Sequence, residues 1–217
     1  MSFSDKVTGK PMESDSPPPL RKQPRQSRSK VLVESLIETC TKILLEQGPN
    51  QVTVATVAEE SGIAPASIYD YFPTIEALIA QTLNQKLEDQ LHRMRQNTIG
   101  LDKSTPLKEI IRIIVTESLT GRNELYALSP ELYLKYVDHY EYNTNEDRRN
   151  DQAIRIIRDI LKHFEDQVKT SDLDYAIFLF VRTLQLTSRS ILLEKRQRIT
   201  SPQTADLLTS MSVPLFI

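Results

Sequence analysis

The sequence predicts an all-α fold of about nine helices. Three observations carry it. Only 5 of 217 residues are glycine, in text rich in Leu, Ile, Glu and Lys with few breakers. Apolar residues recur at spacings of three and four along most of the chain, and no strand-like alternation interrupts them. Several prolines fall where a helix would start or break. The chain divides into an arm (1–28), a three-helix N-terminal unit (29–85, including the start of a connecting helix) and a larger helical unit (86–217).

Residues 1–30 hold five prolines, several serines and almost no large apolar side chains, so 1–28 is expected to be disordered. The stretch 21–30 carries Arg21, Lys22, Arg25, Arg28 and Lys30 with no acid among them. It reads either as a solubilising tail or as a basic arm for DNA phosphates or a minor groove. From Ser29, the residues Val33, Leu36, Ile37, Cys40, Ile43 and Leu44 form one apolar helical stripe that ends near Gly48-Pro49.

Thr53 is a candidate N-cap for the next helix, whose apolar face is Val54, Val57 and Ala58 and whose end is Gly62. Pro65 suits the first position of a third helix, where its missing N–H costs nothing. Ile68 and Phe72 point inward from it, and Ser67, Tyr69 and Tyr71 lie on other faces. Two short helices joined by a tight Gly-containing turn form a helix-turn-helix pattern. Thr74 then caps a longer helix, with Glu76 at the positive end of its dipole, continuing through Leu78, Leu83, Leu87, Leu91 and Met94 to about Asn97.

The remainder predicts helices at about 107–121, 124–142 (broken or kinked at Pro130), 149–169 and 172–197, and a last one capped by Ser201 with Pro202 at its first position. The hydrophilic stretch 143–150 is expected to be a loop. The apolar ending VPLFI (213–217) either folds back or frays.

The net charge is −2, so any nucleic-acid surface must be local. The single cysteine, Cys40, excludes a disulfide framework and fits a reducing compartment; it reads as a small buried hydrophobe. The start MSFSDKVTGK has no apolar core for a signal peptide, and the longest apolar run, 175–181, is too short to span a bilayer. A cytoplasmic protein without membrane partners is the expectation. His92, His139 and His163 are scattered, with no Cys or carboxylate at ligand spacing. With no Gly-rich phosphate loop or nucleophile elbow either, no catalytic residue, metal site or cofactor is expected.

The stretch TVATVAEESGIAPASIYDYFPTIEALIAQTL resembles the DNA-binding segment of the tetracycline-repressor (TetR) family of bacterial transcriptional regulators. The resemblance covers about 29–83, with Thr53, Ala58, Gly62, Ile63, Ser67, Ile68, Tyr69, Tyr71 and Phe72 falling where the family places those residue types. It departs at Ala64, where the family has a capping Ser or Thr, and at Ile75, where it has Lys. The resemblance implies a helix-turn-helix domain followed by a helical ligand-binding and dimerisation domain. It implies a ligand-responsive regulator, a repressor by the family's usual mechanism, that binds double-stranded DNA at a palindromic operator as a homodimer, together with an unidentified small-molecule effector.

The DNA-facing set so implied is Arg28, Thr53, Pro65, Ala66, Ser67, Tyr69, Tyr71 and Thr74. Hydroxyls and backbone amides can hold phosphates without Lys or Arg, and a methyl or a Ser hydroxyl can meet base edges. Tyr126, Tyr133, Tyr136, Phe164 and Phe178 are candidates for the ligand pocket. A helix apolar on nearly every face needs cover on all sides, and the family uses its last two long helices as the dimer interface. Phe178, Val181, Gln185, Ser188 and Leu192 are the interface candidates here. Residues 31–85 hold Lys42 as their only base against seven acids. That balance motivates an alternative, a helical protein-interaction module whose helix-turn-helix no longer reads DNA.

Overall fold

The computed structural model describes residues 18–24, 26–142 and 148–217, without the side chains of 137–151. Arg25, the loop residues 143–147, the His139 side chain and most of the arm (1–17) therefore lie outside the described residues. Nine α-helices follow one another among those described, with no strand: α1 (Ser27–Glu46), α2 (Val54–Ser61), α3 (Pro65–Tyr71), α4 (Ile75–Ile99), α5 (Leu107–Leu128), α6 (Pro130–Tyr142), α7 (Arg148–His163), α8 (Leu173–Glu194) and α9 (Pro202–Ser212).

The helix ends follow the local chemistry. Thr53, Thr74 and Ser201 each accept a backbone N–H three residues on, from Thr56, Ala77 and Thr204. Those bonds satisfy amides that a helix start otherwise leaves orphaned. Gly62 ends α2 at φ 68°, a left-handed turn that glycine adopts without a Cβ clash. The break expected at Pro130 falls at Ser129, because the residue before proline is driven out of the helical region. Some boundaries move: α5 runs on to Leu128, α7 stops at His163 before a short 3-10 turn over Glu165–Gln167, and α8 stops at Glu194 before another over Arg196–Arg198.

The apolar stripe of α1 is buried as a set and packs on α2 and α4. Cys40 lies within it, and burial pushes its thiol up to about 11. Helix α4 continues unbroken through the expected boundary at 85/86, and its most extensive partner is α5, which also carries α9. One apolar core therefore runs from α1 to α9.

Residues 18–24 differ from the expected free arm. Leu20 packs against the core, and the Arg21 N–H donates to the Tyr71 carbonyl at the end of α3 (2.9 Å). Helix α1 begins two residues before the expected Ser29, with the Ser29 hydroxyl bonded to both backbone groups of Gln26. The apolar ending folds back: Phe216 is fully buried edge-on against Phe180 (5.6 Å), and its carbonyl accepts from the Lys169 N–H (2.8 Å).

Phe216 is thus a core residue delivered by the last turn of chain. Phe216→Ala is expected to cost about 3–5 kcal/mol in denaturant unfolding; a loss under about 1 kcal/mol would mean that the tail only rests on the surface. Cys40 is expected to resist alkylation at mildly alkaline pH in the native protein and to react once unfolded; rapid native labelling would contradict its burial.

Candidate nucleic-acid interface and ligand cavity

Helices α2 and α3 form the helix-turn-helix. The Ser61 hydroxyl donates to the Val57 carbonyl (2.6 Å) and accepts from the Ile63 N–H (3.2 Å), which fixes the turn after α2. Ile68 and Phe72 are buried and pin α3 from beneath. Pro65, Ala66, Tyr69 and Asp70 are left exposed, with Ser67 and Tyr71 half-buried beside them. Ala64 supplies no side-chain cap, and Pro65 occupies the first position as expected. Thr53 at the start of α2 and Thr74 at the start of α4 are exposed, as is Arg28 in the first turn of α1.

The head is poor in cations. Lys42, the only base in 31–85, pairs with Glu60 at 2.7 Å. Positive charge returns with the strap 18–24, whose Arg21, Lys22 and Gln23 surround an open hollow against Tyr71 together with Gln26 and Ser29 at the start of α1. Sequence reasoning placed that charge on a free arm. The structure docks it at the end of α3, through a backbone hydrogen bond that no side-chain pattern encodes.

A second feature is a cavity of about 90 Å³ between α4, α5, α6, α7 and α8. Its walls are mainly apolar, with Leu83, Leu87, Leu91 and Met94 from α4, Leu125 from α5, Ile157 from α7 and Leu184 from α8. Its polar groups are Gln90, Ser118, Arg122, Tyr133 and Gln185. The Arg122 guanidinium donates to the Tyr133 hydroxyl at 3.4 Å.

Of the five pocket candidates, only Tyr133 lines this cavity. Tyr126 lies behind it, edge-on to Tyr133 (5.9 Å) and under the Arg196 guanidinium. Tyr136 donates its hydroxyl to Glu76 on α4. Phe164 is buried against His163, and Phe178 is exposed and stacked on Tyr175. The aromatic pattern misled because large aromatics also fill solid core and surface faces. Gln90 and Arg122 gave no motif to find; they converge only through the packing of α4 on α5.

Of the five interface candidates on α8, Phe178 is exposed and the other four are not. Val181, Gln185, Ser188 and Leu192 are buried within the chain; Val181 and Gln185 line the cavity, and the Ser188 hydroxyl bonds the Leu184 carbonyl. The outward stripe is Tyr175, Phe178, Arg182, Leu186, Arg189 and Leu193, with Leu186 and Leu193 57% and 54% exposed. It lies one residue away in phase, about 100° around the helix. Periodicity alone does not choose the inward face of a helix that is apolar all round. The signal that could have chosen it is Arg182 and Arg189, which mark the outward side. On α9, Leu207 and Met211 are likewise exposed.

Residues 36–82 match the family model described as bacterial regulatory proteins, tetR family. The fatty acid metabolism regulator protein of Bacillus subtilis (strain 168) is 23% identical over 113 residues, 51% of this chain and 56% of that protein. The match thus spans only about half the length of that curated relative. A solved structure assigned to a TetR-family transcriptional regulator of Mesorhizobium loti superposes with a TM-score of 0.61 at 12% identity, covering 88% of this chain and 99% of that one. The transcriptional regulator FadR of Bacillus subtilis, solved in complex with stearoyl-CoA, superposes with a TM-score of 0.54 at 15% identity, over 85% of this chain and 99% of that one. The all-helical fold is that of these solved structures, and residues 36–82 carry the helix-turn-helix of the matched family model. The chain is thus similar to the TetR family in its helix-turn-helix segment and in its overall fold.

Proposed function

We propose that this regulator binds a palindromic DNA operator as a homodimer, acts as a repressor, and releases DNA when a small amphiphile enters the cavity. The observation that carries the reading is the shape of the head, in which α3 stands exposed along Pro65, Ala66 and Tyr69 on a buried Ile68–Phe72 base. Its hydroxyls and helix-start amides suit phosphate oxygens, and Ala66 and Ser67 suit base edges. The docked strap supplies the cations that the head lacks.

Dimerisation follows from the exposed apolar residues of α8 and α9, which a second copy would cover around a two-fold axis. By length and composition α8 could also cross a membrane, but its buried side packs on α5 and α7 of its own chain. A symmetric pair sets two reading helices at the spacing of two half-sites.

The effector proposed is a fatty acyl thioester. The apolar walls suit an acyl chain, and Arg122 with Tyr133, Gln90 and Gln185 suits a polar head. The structural likeness to a stearoyl-CoA-binding regulator supports the same class. One observation favours the second reading, an interaction module: Lys42 is engaged by Glu60, and the exposed Asp70 on α3 would face phosphates unfavourably.

Selection of bound sequences from genomic DNA at two salt concentrations tests the proposal. A recovered palindrome supports the operator-binding dimer; no enrichment at low salt would favour the interaction module. Replacing Arg21 and Lys22 together by Gln is expected to lower the salt slope of DNA binding by about 2, and an unchanged slope would remove the strap from the interface. Leu186→Glu with Leu193→Glu is expected to give monomers in sedimentation, and a persisting dimer would place the interface elsewhere.

A further inference from the structure

Helix α3 turns few side chains outward, and one of them is an acid. Its residues Pro65–Tyr71 bury Ile68, half-bury Ser67 and Tyr71, and leave Pro65, Ala66, Tyr69 and Asp70 exposed. Tyr69 and Asp70 follow Ala66 by three and four residues, so these three share one face. Ile68 and the buried Phe72 hold the helix from the other side. Elsewhere on the helix-turn-helix an acid is offset, since Glu60 of α2 pairs with Lys42. No ion pair among the described residues engages Asp70. The strap cations Arg21 and Lys22 surround the hollow against Tyr71, and Asp70 does not line it.

The exposed side chains of α3 differ in what they can recognise. Pro65 and Ala66 offer apolar contact only. The hydroxyls of Tyr69, Ser67 and Tyr71 donate or accept, so either kind of base edge satisfies them. An ionised carboxylate only accepts. In the major groove guanine presents two acceptors and thymine one, which repel a carboxylate. Adenine sets an acceptor beside its amino donor, and cytosine presents the N4 amino donor alone. An acceptor-only side chain therefore ranks cytosine first, and it discriminates as much by repelling guanine and thymine as by binding cytosine.

We propose that Asp70 is a specificity-determining residue that accepts from the N4 amino group of a cytosine in each half-site. The inference rests on the operator-binding reading of α3. It also accounts for an acid on this face: phosphates repel the carboxylate whatever the sequence, and one base pair repays it with a hydrogen bond. Asp70 stands four residues beyond Ala66, a rise of about 6 Å along α3. That is about two base-pair steps of ~3.4 Å, so the cytosine lies about two base pairs from the edge that Ala66 meets.

Selection from random duplexes with the full chain reads this role, using wild type, Asp70→Asn, Asp70→Ala and Glu59→Gln. Glu59 is an exposed acid on α2, and its change removes one negative charge as the Asp70 changes do. Wild type is expected to recover a palindrome with cytosine fixed at one position of each half-site. Asp70→Asn should admit adenine there, because an amide pairs with the adenine N6 and N7. Asp70→Ala should lose the preference at that position and keep it elsewhere. Glu59→Gln should leave every position as it was. A change in the DNA tests the wild-type protein without altering its fold. Replacing the C·G pair by G·C in one half-site should weaken wild-type binding about tenfold and leave the binding of Asp70→Ala unchanged.

A solvated charge with no part in recognition would behave as Glu59 does. Both Asp70 changes would then tighten binding to all duplexes alike, with the selected sequence unmoved. That result, or a wild-type palindrome with no fixed cytosine, would overturn the inference and leave the operator-binding reading standing. No enrichment by wild type at low salt would overturn that reading and this inference together.

Discussion

The structure depends on α4 belonging to both halves of the molecule. Its first turn abuts the helix-turn-helix, where Ala77 and Leu78 are buried, and its middle forms the longest wall of the cavity through Leu83, Leu87, Gln90, Leu91 and Met94. Its 25 residues span about 37 Å without a break. Packing on α5 fixes it along much of that length, and the close approach of Gln90 to Gly121 leaves no room for a side chain between the two helices. A change at the cavity must then be accommodated by the helices around α4, chiefly α6 and α7, or be passed to its ends. A ligand that binds two arrangements equally shifts neither; tenfold release of DNA needs about 1.4 kcal/mol of difference.

Electrostatics shapes the other end. The head carries seven acids and one base between 31 and 85, and that base is paired. An exposed pair of this kind contributes little to stability, so its larger consequence is that Lys42 is drawn toward Glu60 instead of toward phosphate. The strap changes the balance locally, placing Arg21 and Lys22 beside Tyr71. Affinity for a polyanion would then depend on a few docked charges and on hydroxyl and amide contacts, a combination that leaves sequence preference to small side chains such as Ala66 and Ser67.

Much of this was legible in the sequence wherever the signal was local. Threonine and serine caps, Gly62, Pro65, Pro202 and the stripe around Cys40 each state a backbone or packing requirement within a turn or two, and the structure meets them. The helix-turn-helix was legible for the same reason, since Ile68 and Phe72 must face inward and the residues between them therefore face out. What stayed hidden was non-local. The inward face of α8 is set by α5 and α7, not by its own period, and so four of the five interface candidates, Val181, Gln185, Ser188 and Leu192, fall on the buried side while Phe178 is exposed. The cavity exists only where five helices meet, so Gln90 and Arg122 carried no sign of it while Phe164 and Phe178 gave a false one. The fate of VPLFI was equally open, since only the site beside Phe180 determines that Phe216 folds inward.

One titration tests the central claim most directly. A labelled duplex carrying the recovered palindrome is saturated with protein, and stearoyl-CoA is added while fluorescence anisotropy is followed. The account predicts release of the duplex as the acyl thioester binds, at a concentration matching its affinity for the free protein scaled by the coupling between the sites. Stearoyl-CoA bound to the protein with the duplex still held at full affinity would contradict it.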